Sequence, residues 1–180
     1  MKNTYSEEIL KLLFTESCED LKNIGISTDV PMSVKVNYRT QRRFGVCRHD
    51  LRKNTFDLDI SAFILTPEII KEYRNKVKST IIHEILHAVA DHTSGSRNNH
   101  RGQWAKLAEY VNRMYPEYKI SRLSSMSEFG LDDRININFK YLIKCPECGS
   151  EWRRMRMSNL VRHTDLYRCS RCRGKLIRLK

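Results

Sequence analysis

The sequence has no long uncharged stretch. Its longest run free of Asp, Glu, Lys and Arg is Ile60–Pro67, eight residues, whereas a membrane-spanning helix needs about 20, so no membrane partner is expected. The opening MKNTYSEEILKLL holds no uninterrupted apolar segment ending in small residues. A secretory leader is therefore not expected, and a cytoplasmic location is, nucleoid-associated or nuclear according to the source. Acidic residues are in deficit: 21 Asp and Glu face 33 Lys and Arg, a net charge of +12. No internal repeat occurs beyond two paired-cysteine knuckles. What is present is core-forming material. Hydrophobic residues make up 40% of the 180 and recur in periodic blocks, which argues against wholesale disorder and for one ordinary domain with a small appendage.

The acid deficit is uneven. Residues 134–180 hold 13 Lys and Arg against 3 Asp and Glu, and the rest of the chain holds 20 against 18. A cationic tail on a nearly neutral body points to a polyanion partner such as DNA or RNA; a solvated basic face is the plainer alternative. Trp152 and Tyr167 in that tail could stack on bases or serve as core.

Thr4-x-x-Glu7 has the form of a capping box ahead of Ile9, Leu12, Leu13, Leu21 and Ile24, and Gly25 stops that helix. Met32, Val34, Val36 and Tyr38 alternate with polar residues, Phe44 and Val46 suggest a second strand, and Phe56, Leu58 and Ile60 a third. Short strands in succession predict an antiparallel meander. Thr66-Pro67-Glu68 starts a helix that runs to about His92, with a break near Asn75. Residues 93–99 read as a loop, 99–115 as a helix ended by Pro116, 117–136 as surface connection, and 139–143 as a strand leading into the tail. The fold class is α+β, a short antiparallel sheet packed on helices.

The central signal is His83-Glu84-Ile85-Leu86-His87. On a wheel of about 100° per residue, His83, His87, Thr80, Asp91 and Glu84 share one polar wedge of roughly 100°, and apolar residues fill most of the remainder. Two imidazoles one turn apart can share a tetrahedral Zn²⁺, and Glu84 then reaches the water that the metal activates, as a general base. A metal-free polar stripe is the alternative. A third ligand is needed. His100 falls in the apolar stripe of the next helix with Trp104, Leu107, Ala108, Val111 and Met114, so its ring should point inward, where a buried imidazole requires a partner. Glu109 lies about 180° away on that helix, position 93 is Thr, and His92 falls at a fraying end. Asp91 could orient an imidazole.

Cys145-x-x-Cys148-Gly149 and Cys169-x-x-Cys172, followed by Gly174, have zinc-ribbon spacing. Four thiolates would close the shell, so this second Zn²⁺ is structural. Disulfides and a four-sulfur iron site are the alternatives. Cys18 and Cys47 read as plain core residues. Arginines crowd the knuckles, and Trp152, Arg153, Arg154, Arg156, Arg162, Tyr167 and Arg168 are the candidate nucleic-acid contacts. No base-reading module is evident, so sequence preference should be weak. Tyr110, Tyr118 and His163 are candidate transition-state donors, and strand Thr55–Ile60 a candidate edge for an extended substrate.

His83-Glu84-x-x-His87, His100-x-x-x-Trp104, the stretch Asn37-Tyr38-Arg39 through Phe44-Gly45 and Asp59-Ile60, and the ribbon ending Tyr167-Arg168-Cys169-Ser170-Arg171-Cys172 together resemble the SprT-like metallopeptidase family, which includes DNA-dependent proteases. The resemblance implies a zincin-like domain over residues 1–137 and a basic ribbon over 138–180. It implies His83, His87 and His100 as ligands of catalytic zinc, Glu84 as general base, and digestion of proteins bound or crosslinked to DNA; a monomer and single-stranded or junction-containing DNA are the expected state and partner. The family carries Gly directly after the third His; here Arg101 stands there and Gly102 follows. A peptidase for one regulatory protein, and a non-catalytic DNA-binding zinc protein, are the competing functions.

Overall fold

The computed structural model describes residues 4–40, 43–130 and 139–180. The chain divides into two compact units, Met1–Asp133 and Arg134–Lys180; the boundary expected at 137/138 falls outside the described residues. Among the described residues no helix is long and apolar enough to cross a membrane.

In the first unit, α1 (Thr4–Asn23) buries Leu10, Leu13 and Leu21. Thr4 is already helical, and the residue before it lies outside the described residues. Three strands follow: β1 (Met32–Asn37), β2 (Gly45–Asp50) and β3 (Thr55–Ser61). Their order is β1-β3-β2, with β3 parallel to β1 and antiparallel to β2, so the expected antiparallel meander is wrong in one pairing. The reason lies in β3 itself. Phe56, Leu58 and Ile60 face inward and are fully buried. Its outer-face acids find partners on both sides: Ser33 donates to Asp57 at 2.5 Å, Asn37 to Asp59 at 3.1 Å and Arg48 to Asp59 at 2.6 Å. Both demands are met only from the central position. β2 is thereby left as an edge, and the substrate edge expected at β3 is not available there.

Thr66 caps α2 (Pro67–Ser94) through the Ile69 amide. The break falls at Tyr73 (φ −122°, ψ 31°), two residues before the position expected. Beyond it, Val77, Ile81, Ile82, Ile85, Leu86, Ala88 and Ala90 are fully buried, so this segment is enclosed on most sides. Lys78, also buried, locks α2 to α1 through Asp20 at 2.5 Å. α3 (Gly102–Met114) packs Trp104, Ala108 and Val111 against α2. The 117–130 region is more structured than its polarity suggested. Ser125 and Glu128 form a capping box on a 3₁₀ turn (Met126–Phe129), and Phe129 is buried against Phe44, ring centroids 4.8 Å apart.

The second unit is a ribbon. β4 (Tyr141–Lys144) lies between β5 (Glu151–Arg154) and β6 (Ile177–Arg178), antiparallel to both. A four-residue helix, α4 (Asn159–Arg162), is capped by Ser158. Its small core is Ile143, Cys145, Val161, Cys169 and Leu176.

Candidate metal centre

α2 presents His83 and His87 one turn apart, and the α2–α3 loop delivers His100 to them. His83 Nε2 and His87 Nε2 each lie 3.0 Å from His100 Nε2. His100 is not a helical residue, so the apolar stripe of α3 does not aim it. The loop does. Asn99 (φ 43°), His100 (φ 63°) and Gly102 (φ 53°) all adopt left-handed backbone, an uncommon run for two side-chain-bearing residues. Arg101 is extended (φ −125°, ψ 179°), so nothing at that position requires glycine.

Asn98 holds the loop in this shape. Its backbone N–H and side-chain amide donate to Asp91 Oδ1 at 2.7 and 3.1 Å, its amide also donates to the Ala90 carbonyl at 3.1 Å, and its Oδ1 accepts from the Gln103 N–H at 3.1 Å. Asp91 therefore orients the segment carrying the third imidazole rather than an imidazole itself. Asn98→Ala is expected to lower zinc affinity by about 10- to 100-fold with little change in helix content, measured by competition with a chromophoric chelator. Unchanged affinity would remove Asn98 from the account.

Further contacts rigidify the rings. His83 Nδ1 donates to the Ser121 carbonyl at 3.0 Å, which leaves the Nε2 lone pair aimed at His100. Asn112 clamps the Ile120 backbone, accepting at 2.6 Å and donating at 2.8 Å, and so sets the Ser121 carbonyl. Trp104 stacks on His87 (centroids 5.3 Å), meets the edges of His83 and His100, and donates from Nε1 to the His83 carbonyl at 3.3 Å.

These residues fit a cation. Imidazole lone pairs facing one another at 3.0 Å repel unless a proton or metal stands between them. Burial, then the neighbouring imidazoles, pushes His83 down to about 3 and His87 to about 4, and burial lowers His100 too, so protons are disfavoured. Tetrahedral zinc with bonds of about 2.0–2.1 Å needs donors roughly 3.3 Å apart, close to what is seen. Glu84 adds to the case. It is a buried acid, pushed up to about 8 by desolvation and opposed only by a hydrogen bond from the Cys47 backbone, and a cation on the adjacent imidazoles would stabilise its charge.

Gly45 makes room for that carboxylate. A Cβ there would stand 2.5 Å from Glu84 Oε1 and 2.7 Å from its Cγ. Gly45→Ala is expected to displace Glu84 and lower any hydrolysis by about 100-fold while metal content stays the same; unaltered activity would contradict the close approach. Cys47 packs half-buried against the core, as expected, and also lines the cleft wall beside Glu84, its thiol pushed up to about 12 by burial.

The rival ligands do not join the triad. Glu109 is exposed, and His92 Nδ1 accepts from Asn54 at 3.2 Å. Tyr110 donates to the Ile24 carbonyl and Tyr118 to Asp20, so neither is free to serve as a transition-state donor. His163 belongs to the ribbon, where it ends α4.

In the ribbon, the Cys145–Cys172 and Cys148–Cys169 sulfurs lie 3.4 and 3.5 Å apart, against about 2.05 Å for a disulfide. All four sulfurs fall within 4.8 Å of one another. The knuckle amides bond back, Gly149 to Cys145 O at 2.9 Å and Arg173 to Cys169 O at 2.8 Å. Arg173 rather than Gly174 takes the left-handed position (φ 62°); the Glu147 carboxylate lies over Gly174. Such a set fits a tetrahedral metal with a closed shell.

The seven expected nucleic-acid contacts do not form one face. Trp152 is half-buried against the ribbon core and pairs with Ile143. Alternation along β5 puts Arg153 on the opposite face from Trp152 and Arg154. Arg153 lies over the Phe139 ring at 5.2 Å, Arg154 donates to the Arg153 carbonyl at 3.0 Å, and Arg168 to the carbonyls of Asp165 and Tyr167 at 3.0 and 3.1 Å. Arg156, Arg162, Tyr167 and Arg168 are exposed.

A histidine triad on and beside one buried helix, with an acid at its base, defines a candidate metallohydrolase centre. The SprT-like family model matches residues 13–124, and the chain belongs to this family, which is metallopeptidase-like. The human germ cell nuclear acidic protein is 26% identical over 103 residues, covering 57% of this chain and 13% of that protein.

Proposed function

We propose that this chain is a zinc-dependent endopeptidase that acts on proteins bound to DNA. The convergence of three imidazole Nε2 atoms beside the buried Glu84 carboxylate carries this reading. His83, His87 and His100 would hold the ion. Zinc, when bound, supplies a Lewis acid for the scissile carbonyl and acidifies the attacking water. Glu84 removes the proton from that water and delivers it to the departing amine as the C–N bond breaks. Trp104, Asn98 and the Ser121 carbonyl keep the rings from rearranging.

β2 is the edge that an extended substrate would join. The Phe44 carbonyl accepts from the Ser61 N–H at 2.8 Å, so alternate residues Gly45, Cys47 and His49 turn their backbone polar groups away from β3, the Cys47 N–H towards Glu84. A substrate strand there would pass over Glu84. DNA association rests on the net charge of residues 134–180 and on exposed Arg156, Arg162 and Tyr167.

The test is digestion of a DNA-binding protein and of an unstructured protein, each with and without single-stranded DNA, with Glu84→Gln as control. Cleavage that requires the zinc-loaded wild type and rises with DNA supports the proposal. Zinc-dependent cleavage indifferent to DNA would leave a peptidase without the DNA function, and no cleavage under any condition would contradict both.

A further inference from the structure

The cleft over the histidines encloses about 780 Å³, and its charge is one-sided. Four arginines line it, Arg43, Arg48, Arg97 and Arg122, against the acids Glu84 and Asp91. Both acids are buried, Glu84 on the floor and Asp91 in its bonds to Asn98, so the open rim is positive alone. Arg48 is committed to Asp59 at 2.6 Å. Arg43, Arg97 and Arg122 are exposed and, among the described residues, have no carboxylate within ion-pair distance.

These three come from separate segments, the approach to β2, the α2–α3 loop and the wall after Ser121, yet they line one concavity. Unpaired guanidinium groups around a concave site are suited to gripping planar carboxylates through paired N–H bonds. The strand geometry says where on a substrate they would act. Arg43 precedes Gly45 by two residues, and Gly45 is the point against which Glu84 lies. At about 3.3 Å per residue, Arg43 is some 7 Å along the edge from the reacting bond. Arg122 adjoins Ser121, whose carbonyl holds His83, and so stands near the other wall of the same point.

We propose that this cleft selects peptide segments carrying Asp or Glu within two residues of the bond that is cut, gripped by Arg43, Arg97 and Arg122; the proposal rests on the peptidase reading above. A phosphodiester chain would also complement the charge. Apart from the Cys47 N–H, which Glu84 already takes, the outward N–H and C=O groups of β2 suit a peptide main chain and not phosphates, which favours peptide as the occupant.

The experiment uses three quenched fluorescent peptides, identical except for Asp, Gln or Lys on both sides of the central bond. The wild type and the Arg97→Glu/Arg122→Glu variant are compared after equal zinc content and melting temperature are verified. The expected order of kcat/KM is Asp, Gln, Lys, with Asp over Lys by about tenfold at low salt, a gap that narrows at high salt and reverses in the variant. Equal kcat/KM for the three peptides, or an order unchanged in the variant, would overturn the proposal. If none of the peptides is cut, the peptidase reading fails separately. Binding of the same peptides to Glu84→Gln protein, read by fluorescence anisotropy, then decides: tightest binding of the Asp peptide supports the cleft's preference and equal binding rejects it. A short single-stranded oligonucleotide serves as competitor. Displacement of the Asp peptide by it, with oligonucleotide binding lost in the arginine variant, would make the cleft a nucleic-acid groove and overturn the proposal.

Discussion

Glu84→Gln is expected to keep its zinc and to lower peptide hydrolysis by about 10³-fold. The substitution preserves size and shape where space is short: Gly45 leaves room for this side chain and no more. It removes the group that accepts a proton while leaving the three imidazoles and their supports untouched. Metal content, measured by elemental analysis, should therefore match the wild type while cleavage disappears. Loss of zinc together with activity would mean that the carboxylate holds the ion, and retained cleavage would mean that the proton goes elsewhere.

Chelation should separate the two units. Strong chelator is expected to unfold the ribbon and leave the first unit folded. The ribbon's buried set is Ile143, Cys145, Val161, Cys169 and Leu176, and two of these five are themselves metal ligands in the proposed site. Few apolar contacts remain to order this short, highly charged chain, and a structural zinc contributes on the order of 10 kcal/mol to domains of this kind. The first unit differs: its core runs from Leu10 on α1 through β3 and α2 to Phe129 and does not depend on the histidines. Amide NMR spectra with and without chelator would show this directly, as collapse of the ribbon resonances with the others preserved. Ribbon resonances that stay dispersed would contradict a metal-dependent fold, and collapse of both sets would contradict the independence of the first unit. Ser150, through its hydroxyl and backbone, lowers the Cys148 thiol, whereas the neighbouring cysteines push Cys172 up to about 12, so the full set of thiolates requires the metal.

Legibility from sequence followed the range of the interactions involved. The turn-spaced His83 and His87, Glu84 between them and the four cysteines are local patterns, and each declares its chemistry through spacing alone. His100 was legible as a ligand candidate for a reason that the structure replaces: it was placed on α3, whereas a left-handed loop before α3 carries it. That loop depends on Asn98 reaching Asp91, Ala90 and Gln103 together, and an Asn in a polar run gives no sign of such a role. Gly45 was legible only as part of a resemblance, because its significance is the approach of a side chain 39 positions away in sequence. The same holds for β3. Alternation identified it as a strand, but its central place follows from acids on its outer face that pair with Ser33, Asn37 and Arg48 on both neighbours. On the ribbon, counting arginines gives the charge but not its arrangement, since alternation along β5 separates Arg153 from Arg154 and Arg154 and Arg168 also donate to backbone carbonyls.

The most direct test of the central claim is anomalous X-ray diffraction at the zinc edge from crystals of the zinc-loaded protein. One peak is expected about 2.0–2.1 Å from the Nε2 atoms of His83, His87 and His100 alike. A peak bound to His83 and His87 alone, with the His100 ring turned away, would contradict the account.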